Sequence, residues 1–174
     1  MAVLFGAALF LSGGTAQAQE VNDTLARIKE SGQVVVGHRE SSVPFSYYDG
    51  QGRVVGYGQF FSELIIETLK KELNAPGLEI RYVPITSNDR IVRLRNGEYD
   101  FECGSTTNNT ERQKQVGFSN TFFVVGTRLL VNKDSDINYF DDLFDKRVAV
   151  TKGTTSEVQL ARMNIEKDMN FEII

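Results

Sequence analysis

The chain has 174 residues, a formal net charge of −4 and a hydrophobic fraction of 41%, a balance typical of globular rather than disordered proteins. Its basic residues are scattered among more numerous acids, so no basic stripe is available to neutralise a phosphate backbone, and this argues against a nucleic-acid partner. With Cys103 as the sole cysteine, no intramolecular disulfide can form; in an oxidising compartment the thiol is either free or paired elsewhere.

At the N-terminus, MAVLFGAALFL carries no charge, and the small-residue signature Ala16-Gln17-Ala18 follows it. This pattern predicts a secretory signal peptide over residues 1–18, cleaved after Ala18, and hence export to a periplasm. The apolar run is shorter than the roughly 20 residues a membrane-spanning helix needs.

An amphipathic helix is expected at about Asn22–Glu30, closed by Ser31-Gly32, and Val34-Val35-Val36 reads as a short buried strand. Phe45 to Tyr48, the turn Asp49-Gly50-Gln51-Gly52 and Val54-Val55 form a hairpin by their turn chemistry. QFFSELIIETLKKEL predicts a helix with Phe60, Leu64, Ile65, Thr68 and Leu69 at helical spacing, ended by Asn74-Ala75-Pro76-Gly77. LEIRYV is a strand, Asn88 to Arg95 a short helix, and Tyr99 to Cys103 an alternating strand. Repeated β-then-α units mark an α/β domain with a mainly parallel sheet.

TFFVVGTRLLVN reads as one long apolar strand with Gly126 in its middle. Beyond it the pattern restarts with a helix near Tyr139–Phe144, a strand at Val148–Val150, a helix from Thr155 to Lys167 and a strand start at Phe171–Ile174. Two lobes are expected, the first over residues 19–125 and the second beginning within 126–174 and stopping in mid-pattern.

Ligands of α/β sheets sit beyond the carboxyl ends of the strands, where loops feed helix N-termini. Four such loops share one composition: Arg39 after the first strand, Ser87 and Arg90 after LEIRYV, Ser105, Thr107 and Arg112 after Tyr99–Cys103, and Gly153-Thr154-Thr155 after Val148–Val150. Thr110 with Gln113, and Thr154 with Glu157, read as helix capping boxes. A cap needs one hydroxyl, however, and Ser105, Thr106, Thr107 and Arg112 exceed that need. Three arginines on one sheet edge would repel each other unless an anion joined them, and a small molecule with two carboxylates would do so.

His38 and Cys103 lie near strand ends and could form a base and a nucleophile, but Cys103 sits in an apolar alternation and reads as a packed side chain. TKGTTSE lacks the glycine spacing of a nucleotide-phosphate loop. No metal-ligand spacing is present, so neither metal nor cofactor is expected.

VVVGHRESSVPFSYYDGQGRVVGYGQFFSELI, PITSNDRI, GEYDFECGSTTNNTERQKQVGFS, FFVVGTRLLV and VTKGTTSEV, in that order, resemble the periplasmic glutamate/aspartate-binding proteins of ABC transporters, a branch of the amino-acid family of bacterial extracellular solute-binding proteins. The resemblance implies a type II periplasmic-binding-protein fold, with two α/β lobes joined by crossover strands, the second incomplete here. It also implies a monomer that binds L-glutamate or L-aspartate and delivers it to ABC permease subunits, without catalysis. By the same resemblance Arg112 pairs with the ligand's α-carboxylate, helped by Thr107 and the Thr155 backbone N–H; Ser105 helps receive the α-ammonium; and Arg39, Ser87 and Arg90 hold the side-chain carboxylate. Phe60 departs from the family pattern, in which an acid usually opens that helix. Sensory or ligand-gating modules on this fold, and dehydratases or hydrolases built on it, are the alternatives.

Overall fold

The structure, a computed structural model, describes residues 16–174, with side chains from Thr24 onward. The leader reading therefore falls almost wholly outside the described residues. Helix α1 (Ala16–Ser31) is longer than predicted. It ends at Gly32, whose φ of 65° no branched residue adopts cheaply and whose N–H reaches the Ile28 carbonyl at 3.0 Å.

Strand β1 (Gln33–His38) lies at the centre of a parallel three-stranded sheet, between β5 (Glu79–Pro84) and β6 (Phe101–Glu102). The register with β5 runs from Gln33 opposite Glu79 to His38 opposite Pro84, and Val36 faces Phe101 in β6. A central parallel strand is covered on both faces, which is why its sequence is a continuous apolar run. Val34 and Val36 pack on one face with Ile28, Ile66 and Leu78. Val35 packs on the other with Val83, Ile85 and Tyr99.

The predicted hairpin is β3 (Ser46–Tyr48) paired antiparallel with β4 (Val54–Val55), and a short β2 (Ser41–Ser42) adds to its free side. Asp49 organises the turn by accepting from the Gln51 and Arg53 backbone N–H groups, both at 2.9 Å.

Helix α2 (Tyr57–Glu72) forms where the helical spacing predicts it, but most of the residues at that spacing are not its buried ones. Its buried residues are Gly58, Gln59, Ser62 and Ile66, whereas Phe60, Leu64 and Ile65 are exposed. The reason is a close approach: a Cβ at Gly58 would collide with the Cys103 carbonyl oxygen. Only a residue without a side chain fits against Cys103, so the buried side carries Gly58 and Ser62 beside Gln59 and Ile66 and is not the most apolar one.

Helix α3 (Arg90–Arg95) follows β5, and α4 (Thr110–Gln113) follows β6. The cap of α4 differs from expectation. Asn109, not Thr110, is the N-cap, its side chain accepting the Arg112 N–H at 2.9 Å, and Gln113 reaches the Asn108 side chain instead of the backbone.

Residues 117–132 hold no helix or strand, which corrects the reading of TFFVVGTRLLVN as a strand. Among the described residues no strand runs beside it, so its N–H and C=O groups lack a ladder partner. Its aromatic side chains dock instead on the first lobe, Phe122 against Phe61 and Phe123 against Phe45, each with ring centroids 5.0 Å apart.

Beyond this segment a second core forms from Leu143, Val148, Leu160, Met169 and Phe171. The helix expected at Tyr139–Phe144 is a single 3₁₀ turn, Phe140–Leu143. β7 (Arg147–Val148) pairs in parallel with β8 (Glu172–Ile173), and α5 (Thr155–Glu166) joins them.

Candidate functional site

Arg39 leaves the end of β1 with its backbone pinned by Ser46, whose hydroxyl accepts the Arg39 N–H at 2.9 Å and donates to its carbonyl at 3.2 Å. This fixes the direction of the side chain, and Nη1 donates to the Ser87 hydroxyl. Ser87 lies in a turn after β5 built by two side chains. Asp89 accepts the Thr86 N–H at 2.8 Å, and the Thr86 hydroxyl accepts the N–H groups of Asn88 and Asp89 at 3.3 and 3.2 Å. The turn delivers Arg90 as the first residue of α3 with its side chain only 2% exposed. Its Nε and Nη1 are buried without a hydrogen-bond acceptor, the nearest carboxylate being Glu102 at 3.7 Å. Buried donors are rarely left so.

The loop after β6 brings Ser105 to Ser42, hydroxyl to hydroxyl at 3.4 Å, and Thr107 to Thr155 at the same distance. Arg112 spans the junction of the two units. Nη1 donates to the Thr107 carbonyl at 3.0 Å and Nη2 to the Gly153 carbonyl at 3.4 Å. Thr154 caps α5 by accepting the Glu157 N–H at 3.2 Å, as expected, but the Glu157 carboxylate bonds the Gly153 N–H at 2.7 Å instead of that of Thr154.

Arg39, Ser87, Arg90, Ser105, Thr107 and Thr155 line one open cleft of about 500 Å³, within the range of small-molecule sites. Arg112 is not among the lining residues, and its guanidinium flanks the cleft through Thr107 and Gly153. The Arg90 guanidinium feels the charges of the other two arginines. Burial lowers the Arg90 pKa most, Glu102 opposes this, and the positive charges of Arg112 and Arg39 lower it further. Arg112 is likewise lowered by burial and supported by Glu102. The cleft therefore gathers positive charge that Glu102 offsets only in part, in a partly dry environment, which suits the capture of a small carboxylate.

A family model described as bacterial extracellular solute-binding proteins, family 3, matches residues 34–170. The chain belongs to this family. It is 58% identical over 171 residues to the glutamate/aspartate import solute-binding protein of Escherichia coli, a match covering 96% of this chain and 57% of that protein. It is 51% identical over 158 residues to the L-glutamate/L-aspartate-binding protein of Pseudomonas aeruginosa, covering 90% of this chain and 52% of that one. The chain thus spans a little over half the length of these curated relatives. Among solved structures it is similar to an ancestral amino acid-binding protein, a precursor of cyclohexadienyl dehydratase, with a TM-score of 0.74 and 32% identity over 87% of this chain and 63% of that one. It is also similar to the arginine-bound form of truncated ArgBP from T. maritima, with a TM-score of 0.74 and 28% identity over 86% of this chain and 66% of that one. The fold is the α/β, type II periplasmic-binding-protein fold, of which the described residues cover a part.

In this family 3 solute-binding protein His38 is buried and has both ring nitrogens engaged, Nδ1 with the Arg39 carbonyl at 3.3 Å and Nε2 with the Tyr48 hydroxyl at 3.2 Å. Burial lowers its pKa. Burial also pushes the half-buried Cys103 thiol up, with the Ser62 hydroxyl opposing. A raised thiol pKa makes a poor nucleophile. Among the described residues no group of three or more His, Cys, Asp or Glu side chains could hold a metal ion, and no helix is long and apolar enough to cross a membrane.

The residue that sequence reasoning overlooked is Glu102, one of two acids in the alternating segment YDFEC. A charge at that position, beside loops carrying three arginines, was the signal available. Thr127 and Gln159 were also missed; both line the cleft, linked at 3.3 Å.

Proposed function

We propose that this protein is a periplasmic receptor that captures L-glutamate or L-aspartate as a monomer and delivers it to the permease of an ABC transporter. The observation that carries this reading is the cleft itself, where Arg39 and Arg90 face hydroxyls from both units and Arg112 closes the junction. The ligand's side-chain carboxylate goes to Arg39, Ser87 and Arg90. Its α-carboxylate goes to Arg112, Thr107 and the Thr155 backbone N–H at the start of α5, where the helix dipole favours an anion. Ser105 receives the α-ammonium. The names of the Escherichia coli and Pseudomonas aeruginosa relatives support this ligand class.

Binding without turnover is the better reading, because His38 and Cys103, the two side chains suited to catalysis, are engaged or raised in pKa. Calorimetric titration of the purified protein with L-glutamate and L-aspartate tests the assignment. Saturable heat with at least one of them supports it, and no heat with either refutes it.

A further inference from the structure

Glu102 has no part in the ligand contacts above, yet its surroundings are unusual. The side chain is 11% exposed, and the 2%-exposed Arg90 guanidinium stands 3.7 Å from its Oε1. Two buried opposite charges at this range normally close into a charge-assisted hydrogen bond of about 2.7–2.9 Å. Here the carboxylate is held back. The Thr106 hydroxyl donates to Oε1. Tyr99 contributes less, because its single proton is committed to the Arg90 carbonyl at 2.7 Å, leaving a long contact of 3.4 Å to Oε2. Arg90 lines the cleft and Glu102 does not, so the carboxylate backs the arginine from outside the binding space. Glu102 is also the carboxylate that supports the charge of both Arg90 and Arg112.

We propose that Glu102 is a positioning residue: tethered by Thr106, it serves as the built-in counter-charge of the Arg90 guanidinium while no ligand is bound, without consuming its N–H donors. The cost is repulsion between Glu102 and the bound carboxylate, so the residue trades affinity for stability of the unliganded state. This rests on the ligand reading above for its second half only.

The two halves are tested separately. Without ligand, the melting temperatures of the native protein, Glu102→Gln, Arg90→Met and the double variant form a cycle. Glu102→Gln leaves a lone buried cation and lowers the melting temperature, and adding Arg90→Met restores most of the loss. A purely structural role, through the Thr106 bond or packing, gives a loss that Arg90→Met does not rescue, and that result overturns the proposal. With L-glutamate as the probe, Glu102→Gln binds more tightly than the native protein, on the order of tenfold for one like charge removed near the site. Equal or weaker binding by a folded Glu102→Gln overturns the second half. If the native protein binds neither L-glutamate nor L-aspartate, the ligand reading and this second half fall together, while the melting cycle still decides the first.

Discussion

Gly153 of the second unit meets the loop of the first at Asn88 so closely that a Cβ on Gly153 would lie 2.7 Å from the Asn88 Cα and 2.9 Å from the Ser87 carbonyl oxygen. Its φ of 75° adds a backbone reason for glycine. The two units approach each other here, beside the Arg112 contact to the Gly153 carbonyl. Gly153→Ala is therefore expected to hold them apart and weaken L-glutamate binding by about tenfold or more, the equivalent of the strain and overlap introduced. Calorimetry gives the affinity, and an unchanged dissociation constant would show that this approach is not part of the bound state.

The Arg112 guanidinium offers about five N–H donors in one plane, and Nη1 and Nη2 each give one to a backbone carbonyl. Replacing it with alanine removes at least one bond to a charged group, and affinity is expected to fall about 10- to 100-fold. Arg112→Lys is expected to recover little of this, because an ammonium cannot reproduce the fork. Full recovery in the lysine variant would assign Arg112 a general charge role instead.

His38 is buried and its pKa lies below the ordinary value of 6.5, chiefly through desolvation. Below pH 6.5 the unfolded chain takes up a proton at this residue that the folded chain resists, so acid favours unfolding. The stability of the neutral form is fully present above pH 6.5 and is lost as pH falls toward the folded-state value. The melting temperature should fall between about pH 7 and about pH 5 more steeply in the native protein than in His38→Gln. Parallel profiles would remove His38 as the cause.

The orientation of α2 makes a stability prediction. Ile66 is 1% exposed in the core with Ile28, Val34, Val36 and Leu78, whereas Leu64, two residues away, is 50% exposed. Ile66→Ala is expected to cost about 2–5 kcal/mol and Leu64→Ala less than about 1 kcal/mol. Denaturant melts read both, and a reversed order would restore the stripe that the apolar spacing suggested.

Elements with local signals were legible in the sequence: the buried run of β1, the Asp49-to-Gly52 turn and the Thr154 cap all formed where their chemistry placed them. Six of the seven candidate residues shared a cleft because strand order and loop position determine which strand ends meet. The failures were tertiary. The face of α2 was decided by the backbone approach at Gly58, and TFFVVGTRLLVN read as a strand although strand formation needs a partner that no local pattern reports. Glu102 was passed over because alternation within a strand says which face a residue takes, not which charge waits there.

On the proposed reading the cleft selects a second carboxylate through Arg39 and Arg90. Titrating L-glutamate against L-glutamine, which is nearly isosteric and lacks only the charge, tests it most directly. L-Glutamine is expected to bind at least about 100-fold more weakly, the loss of a charge-assisted contact together with buried guanidinium donors left unpaired. Equal affinity for the two amino acids would contradict it.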